Sequence, residues 1–346
     1  MRPVVVPFFI PHLGCPHRCV FCDQEKIAGA RGVLPSGEEM RSKIARYRES
    51  AAGRDLQVAF YGGTFTALPH ADQSYLLDQL QPLLAAGYLK SVRLSTRPDA
   101  VDAATASFLK ERGVETVELG VQSMDEEVLA RSRRGHSALD AERAVRVLRE
   151  AGLEVGVQLM NGLPGDTDER SLASLRRALS LNPSFLRIYP TVVISGTELA
   201  GLYHTGSYRP QPLDEAVSLC KQLLAAARRA SVPVIRVGLQ PTAELESPGV
   251  LLAGPYHPAF GQLVESALCY DAMTALVAEI PRGSRVSFTV PPGRVSDLVG
   301  QKKRNLKRLS EDFAVTVTGV REDDRARPDS ISLEWGGGRI VRTVGI

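Results

Sequence analysis

The chain has 346 residues, 44% of them hydrophobic and 23% charged, with a formal net charge of +3. That length suits one barrel-sized domain with a small appendage, and the composition excludes disordered and collagen-like classes. No apolar run approaches the roughly 20 residues of a membrane helix, and five cysteines are too few for a disulfide scaffold of this size.

Met1 to Ile10 is apolar but interrupted by Pro3 and Pro7. It lacks a basic start and a small-residue cleavage site, so it reads as a first strand (Val4–Ile10) and not as a signal peptide. Short β-rich runs then alternate with amphipathic helical stretches. Strands are expected at Leu56–Tyr61, Val92–Thr96, Thr116–Val121, Leu153–Leu159, Phe185–Tyr189 and Val232–Val237, with helices at Ser137–Ala151, Thr167–Leu181 and Leu213–Ala230. This rhythm predicts α/β architecture with a parallel sheet, either open or rolled into a barrel. Gly62-Gly63 and Pro164-Gly165 lie at C-terminal strand ends, where such folds place their chemistry.

Directly after the first strand comes Gly14-Cys15-Pro16-His17-Arg18-Cys19-Val20-Phe21-Cys22, a C-x₃-C-x₂-C spacing. Three thiolates on one loop can converge on one metal centre, and thiolates suit iron–sulfur clusters or zinc. Three ligands would leave one iron of a four-iron cluster open; zinc would recruit His12 or His17 to close a Cys₃His site. In a chain without export signals the clustering points to metal binding in the cytosol, not to crosslinking. Cys220 and Cys269 read as buried core thiols.

Past Pro281 the rhythm changes to β-α-α-β-β: a strand at Arg285–Val290, helices at Gly293–Val299 and Arg304–Asp312, and strands at Val315–Val320 and Ser330–Trp335. A domain boundary is expected there, giving domains 1–280 and 281–346. From Pro281 on there are 13 Lys/Arg against 8 Asp/Glu, so this part carries +5 and the remainder −2. Lys302, Lys303, Arg304, Lys307 and Arg308 put five positive charges in seven residues, either a polyanion contact or a solvated basic helix.

The cysteine spacing, with the aromatic Phe21 before the third cysteine, resembles the radical S-adenosylmethionine (SAM) superfamily. Over residues 4 to 275 the chain is most like the radical SAM domain of the Elongator catalytic subunit, and more distantly like oxygen-independent coproporphyrinogen oxidase. The resemblance implies a partial (β/α)6-type barrel, open to extension by a further strand. It also implies a [4Fe–4S] cluster on Cys15, Cys19 and Cys22, whose open iron chelates SAM for reductive cleavage to a 5′-deoxyadenosyl radical. A reductant such as flavodoxin or ferredoxin would supply the electron.

In that family the turn matching Gly62-Gly63-Thr64 receives the SAM amino group. The residue matching Gln122 touches the ribose, and that matching Arg134 reaches the SAM carboxylate. Arg131 and Arg133 read instead as a solvated helix end. Ser95 and Gln158 stand where the porphyrin-pathway enzyme has carboxylates. The Elongator-like segments 187–191 and 254–261 are intact, which suggests Tyr189, Arg236, Tyr256 and His257 on the substrate side, or as packed or surface residues. The chain ends where that subunit's acetyltransferase domain would begin, so the resemblance names no transferred group.

The C-terminal part resembles a small α+β KH domain, whose GxxG loop grips single-stranded nucleic acid. Here that loop is Gly300-Gln301-Lys302-Lys303, with lysine in the second glycine position. The expected function is modification of a base or ribose in structured RNA, tRNA or rRNA. A metabolite or protein substrate, and a non-catalytic RNA-binding protein with a structural metal, are the alternatives.

Overall fold

Of the seven strands expected before Pro281, the first six form a parallel sheet and each buries Val, Ile, Leu or Phe on at least one face, whereas Val234–Val237 is only half-buried. The computed structural model describes residues 3–10, 13, 15–23 and 33–345. The chain packs as two units: residues 1–211 with 240–255, and residues 212–239 with 256–346.

In the first unit the main strands are β1 (Val4–Ile10), β2 (Leu56–Gly62), β3 (Ser91–Thr96), β4 (Val114–Gln122), β5 (Glu154–Asn161) and β6 (Phe185–Pro190). They pair in sequence order, and every pair is parallel. Crossovers between parallel strands are right-handed, so an order that never reverses sends every connection to the same side. That is barrel-type winding, and the other face of the sheet is free of crossover helices.

The connections are α1 (Gly37–Ser50), α2 (His70–Asp78), α3 (Gln81–Ala85), α4 (Ala103–Glu111), α5 (Glu126–Arg131), α6 (Ala138–Glu150) and α7 (Asp168–Ser180). Helix α6 starts at a capping box in which the Ser137 hydroxyl accepts from the Asp140 amide. Thr167 caps α7 in the same manner. A short antiparallel pair, Val193–Ile194 with Leu251–Ala253, and helix α8 (Glu198–His204) complete this unit.

The second unit contains α9 (Leu213–Arg229), the strand Val234–Val237 and α10 (Phe260–Val277). After these come β7 (Arg285–Val290), α11 (Val295–Val299), α12 (Arg304–Phe313), β8 (Thr316–Glu322), β9 (Ser330–Trp335) and β10 (Gly338–Thr343). The β-α-α-β-β order is present, and β10 is one strand more than the sequence reading held. The sheet order is β8-β7-β9-β10, with β7 parallel to β8 and the other pairs antiparallel.

The composition break at Pro281–Gly283 falls inside this unit, because α10 packs against α9, α11, α12, β9 and β10. Glu265 on α10 ties the layers together, paired with Arg228 at 2.6 Å and Arg294 at 2.9 Å. Among the described residues no helix is long and apolar enough to cross a membrane.

Candidate functional site

The loop after β1 is held at several points, and each lies near a cysteine. Cys15 Sγ is 3.1 Å from the hydroxyl of Thr64, a side chain almost wholly shut from solvent. Arg134 Nη1 donates to Cys19 Sγ at 3.1 Å, and Arg97 Nη1 lies 3.9 Å from the same sulfur. The Val20 amide donates to the Ser132 carbonyl, and its own carbonyl accepts from Leu199. Val20 is buried with Val193, Leu199, Ala200 and Tyr208, and Phe21 packs against that cluster. The hydrophobic effect thus anchors the middle of the cysteine loop.

The turn after β2 is glycine for two different reasons. Gly62 has φ +100°, a left-handed conformation that other residues enter only with strain. Gly63 faces a steric limit: a Cβ there would lie 2.4 Å from both the Ile10 and Leu13 carbonyl oxygens. The close approach is therefore to the chain's own β1 end, and it seats Thr64 beside Cys15.

Gln122 ends β4 with φ +68°, where the register against β5 shifts. Its side-chain oxygen is buried without a hydrogen-bond partner, as are Ser95 Oγ and Arg134 Nε. Burying an unpaired polar atom costs about 1–3 kcal/mol, so these orphaned atoms fit a polar ligand bound between β3, β4 and the cysteine loop. Arg134 also donates to the Gly120 carbonyl, so its guanidinium is divided between that carbonyl and Cys19.

The donor set suits a cluster. All three cysteines are free thiols, and the Cys22 thiol is pushed up to about 12 by burial, then by Cys19 and Cys15. Neighbouring thiolates repel until a cation sits among them, and a bound metal inverts that effect. Among the described residues, no three His, Cys, Asp or Glu side chains stand in an arrangement that could hold a metal ion, so the three cysteines would have to move together to take up a cluster. His17 does not turn to the sulfurs: its ring packs on Gly135, with Nε2 3.7 Å from Asp99. The alternative zinc ligand His12 lies outside the described residues.

Sequence reasoning missed the most polar group on the sheet. Glu118 is fully buried on the crossover-free face of β4. Arg187 Nε reaches it at 2.6 Å, Arg93 Nη1 at 3.3 Å and Gln158 Nε2 at 3.1 Å. The Tyr61 hydroxyl donates to it at 3.4 Å, and Tyr189 accepts from Arg187 at 3.3 Å. The signal was present in the strands: Val92-Arg93-Leu94, Val117-Glu118-Leu119 and Leu186-Arg187-Ile188 each place one charge inside an apolar run. Parallel strands covered on both faces carry no such charges. Of the substrate-side candidates, Tyr189 joins this group. Arg236, Tyr256 and His257 belong to the second unit, where His257 Nδ1 accepts from the Ala259 amide.

In the second unit Gly300 (φ +71°), Lys302 (φ +51°) and Lys303 (φ +61°) form a left-handed loop ahead of α12. The lysine in the second glycine position therefore holds a backbone that glycine would adopt. Buried Asn305 secures the loop by donating to the Ser266 and Leu298 carbonyls. Gln301, Lys302, Lys303, Arg304, Lys307 and Arg308 are exposed. Cys220 and Cys269 are buried, as read from their helical patterns.

His136 behind the site supplies a pH test. Burial, then the charges of Arg134 and Arg97, pull it down to about 3, so the fold holds it neutral. The unfolded chain binds a proton near pH 6.5. Stability should therefore fall as pH drops from 6.5 and level off near 3, by on the order of 4 kcal/mol from this group. His136→Gln should flatten that acid limb in urea titrations at successive pH values.

The radical SAM superfamily model matches residues 9–178, and the radical SAM C-terminal domain model matches 183–269. The tRNA uridine(34) acetyltransferase of Methanocaldococcus jannaschii is 33% identical over 245 residues, covering 59% of this chain and 45% of that protein. The heme chaperone HemW of Escherichia coli is 29% identical over 188 residues, covering 53% and 50%. The chain spans about half the length of the curated relatives it matches. The structure of archaeal Elp3 from Methanocaldococcus infernus superposes with a TM-score of 0.58 at 23% identity. That likeness covers 79% of this chain and 64% of the other, and it shows the shared fold. With the three-cysteine loop, the Gly62-Gly63 turn and the sequence-ordered parallel sheet, these matches establish that the chain belongs to the radical SAM superfamily, whose enzymes use a [4Fe–4S] cluster and SAM.

Proposed function

We propose that this radical SAM enzyme modifies a nucleotide in structured RNA, tRNA or rRNA. The observation that carries the reading is the match to proteins named tRNA uridine(34) acetyltransferase, in Methanocaldococcus and in Dehalococcoides mccartyi. Because the match covers about half of each, acetyl transfer is not part of the proposal. The C-terminal loop supports the RNA half: Lys302, Lys303 and Arg304 are exposed cations at a helix start, where phosphates bind favourably.

When bound, the cluster and SAM supply one-electron cleavage of SAM and hydrogen-atom abstraction from the substrate. Cys15, Cys19 and Cys22 would hold the cluster, and Gly62, Gly63, Thr64, Ser95, Gln122, Arg134 and Gln158 would surround SAM. Phe21, packed in its apolar cluster, would keep the loop between them dry. A flavodoxin or ferredoxin would be the reductant.

The test is nucleoside mass spectrometry of tRNA and rRNA from a strain lacking the protein. One modified nucleoside should disappear and return with the intact gene but not with Cys19→Ala. An unchanged profile would move the substrate to a metabolite or a protein.

A further inference from the structure

The charges on the crossover-free face of the first unit's sheet do not balance. Arg93 and Arg187 bring two positive charges to Glu118, which brings one negative charge. Both carboxylate oxygens already accept hydrogen bonds: Oε1 from Arg93, Arg187 Nη2 and Tyr61, and Oε2 from Gln158, with Arg187 Nε 2.6 Å away but not aligned to donate. Glu118 cannot neutralise the second guanidinium. Burial works against the Arg187 charge, but Tyr189, Glu118 and Tyr61 outweigh it, so Arg187 stays a cation. Burial and Glu118 likewise keep Tyr61 protonated, a donor and not a second anion.

This face is also the less tightly covered of the two. Side chains on the helix-covered face, Leu94, Leu119, Val157 and Ile188, are at most 1% exposed. Their neighbours Arg93, Gln158, Arg187 and Tyr189 are only half-buried. Arg93 Nε and Arg187 Nε are shut from water without a hydrogen-bond partner. A surplus guanidinium in partly dry surroundings is costly unless an anion joins it.

We infer that this face binds one anionic group of the substrate, a phosphate or a carboxylate. Arg187 and Arg93 form the ion pair, and Glu118 is the positioning residue that holds both and weakens their pull. Two guanidinium forks match the oxygens of either anion. That an anion binds here follows from the charge count; that it is a nucleotide phosphate rests on the RNA reading.

The experiment is calorimetry on the reconstituted holoenzyme with saturating SAM, using uridine 5′-monophosphate, uridine, inorganic phosphate and malonate as probes. Uridine 5′-monophosphate should bind at least about tenfold more tightly than uridine, and added salt should shrink the difference. Arg187→Gln should abolish it. Glu118→Gln keeps the hydrogen-bonding shape but removes the opposing charge, so it should tighten binding of the nucleotide and of phosphate several-fold. Should Arg187→Gln fail to fold, the double variant Arg187→Gln/Glu118→Gln carries no unpaired carboxylate and reads the same loss.

Binding of malonate, with the nucleotide no better than uridine, would keep the anion site and remove RNA as its source. Weaker or unchanged anion binding in Glu118→Gln would overturn the inference. So would competition between the nucleotide and SAM, because the donors would then belong to the SAM site.

Discussion

Gly63→Ala should unfold the cysteine loop and leave the protein without its cluster. The new Cβ would stand 2.4 Å from the carbonyl oxygens of Ile10 and Leu13, and both are backbone atoms that no side-chain rotation can clear. The Gly63 amide donates to Ile10 at 2.7 Å and the Thr64 amide to Leu13 at 3.2 Å, so the push breaks the two bonds that dock the loop. Overpacking of this kind costs about 3 kcal/mol. Thr64 moves with the backbone, and Cys15 loses its partner. A thermal melt should show the destabilisation, and iron content after anaerobic reconstitution should fall to background. Gly201→Ala is the control: it sits in α8 with nothing within 4 Å of its Cβ, and should be neutral or slightly stabilising. Equal iron in Gly63→Ala and Gly201→Ala would refute the docking role.

Arg97→Gln should weaken the hold on the cluster without removing any of its ligands. Arg97 is 3% exposed, and its fork grips Asp99 at 2.9 and 3.0 Å. It also donates to the Arg134 carbonyl, in the residue whose Nη1 reaches Cys19. Removing one partner of a buried pair costs about 3 kcal/mol or more, and loss of an outer partner lowers metal affinity by roughly 10–100-fold. Removing a cation from beside the Cys19 sulfur also favours the oxidised cluster. Chelator-driven iron release should therefore speed up, and potentiometric titration should give a lower midpoint. Asp99→Asn added to Arg97→Gln should restore part of the melting temperature but none of the iron retention. Wild-type release rates in Arg97→Gln would show that Arg134 holds Cys19 unaided.

The sequence carried the local structure of this protein well, because local structure depends on neighbours. The alternation of apolar runs placed the strands, and Ser137 and Thr167 marked two helix starts by their own hydroxyls. The three cysteines and Gly62-Gly63 were legible because each group acts from a single loop or turn. Glu118 was not, since its partners Arg93 and Arg187 lie 25 and 69 residues away and meet only when β3, β4 and β6 align. Strand β10 escaped notice because Arg339 and Arg342 dilute its apolar residues, and its face is largely exposed. Lys303 looked like a departure in a glycine position. Residue type reports what a position costs, and the backbone there is left-handed in spite of the lysine.

The way the chain threads between its two units bears on how it is made. Residues 212–239 belong to the second unit, yet residues 240–255 return to the first, where Leu251–Ala253 supplies the partner strand for Val193–Ile194. A chain emerging from the ribosome must therefore begin its second body before it can finish its first. Helix α9 is exported while α10, against which it packs, is still unmade, so Leu219, Leu223 and Ala227 wait in water for residues some forty positions downstream. Neither half is a free-standing cassette. Cutting the gene near residue 211 or residue 281 separates elements that share one core, and should yield fragments that aggregate unless expressed together.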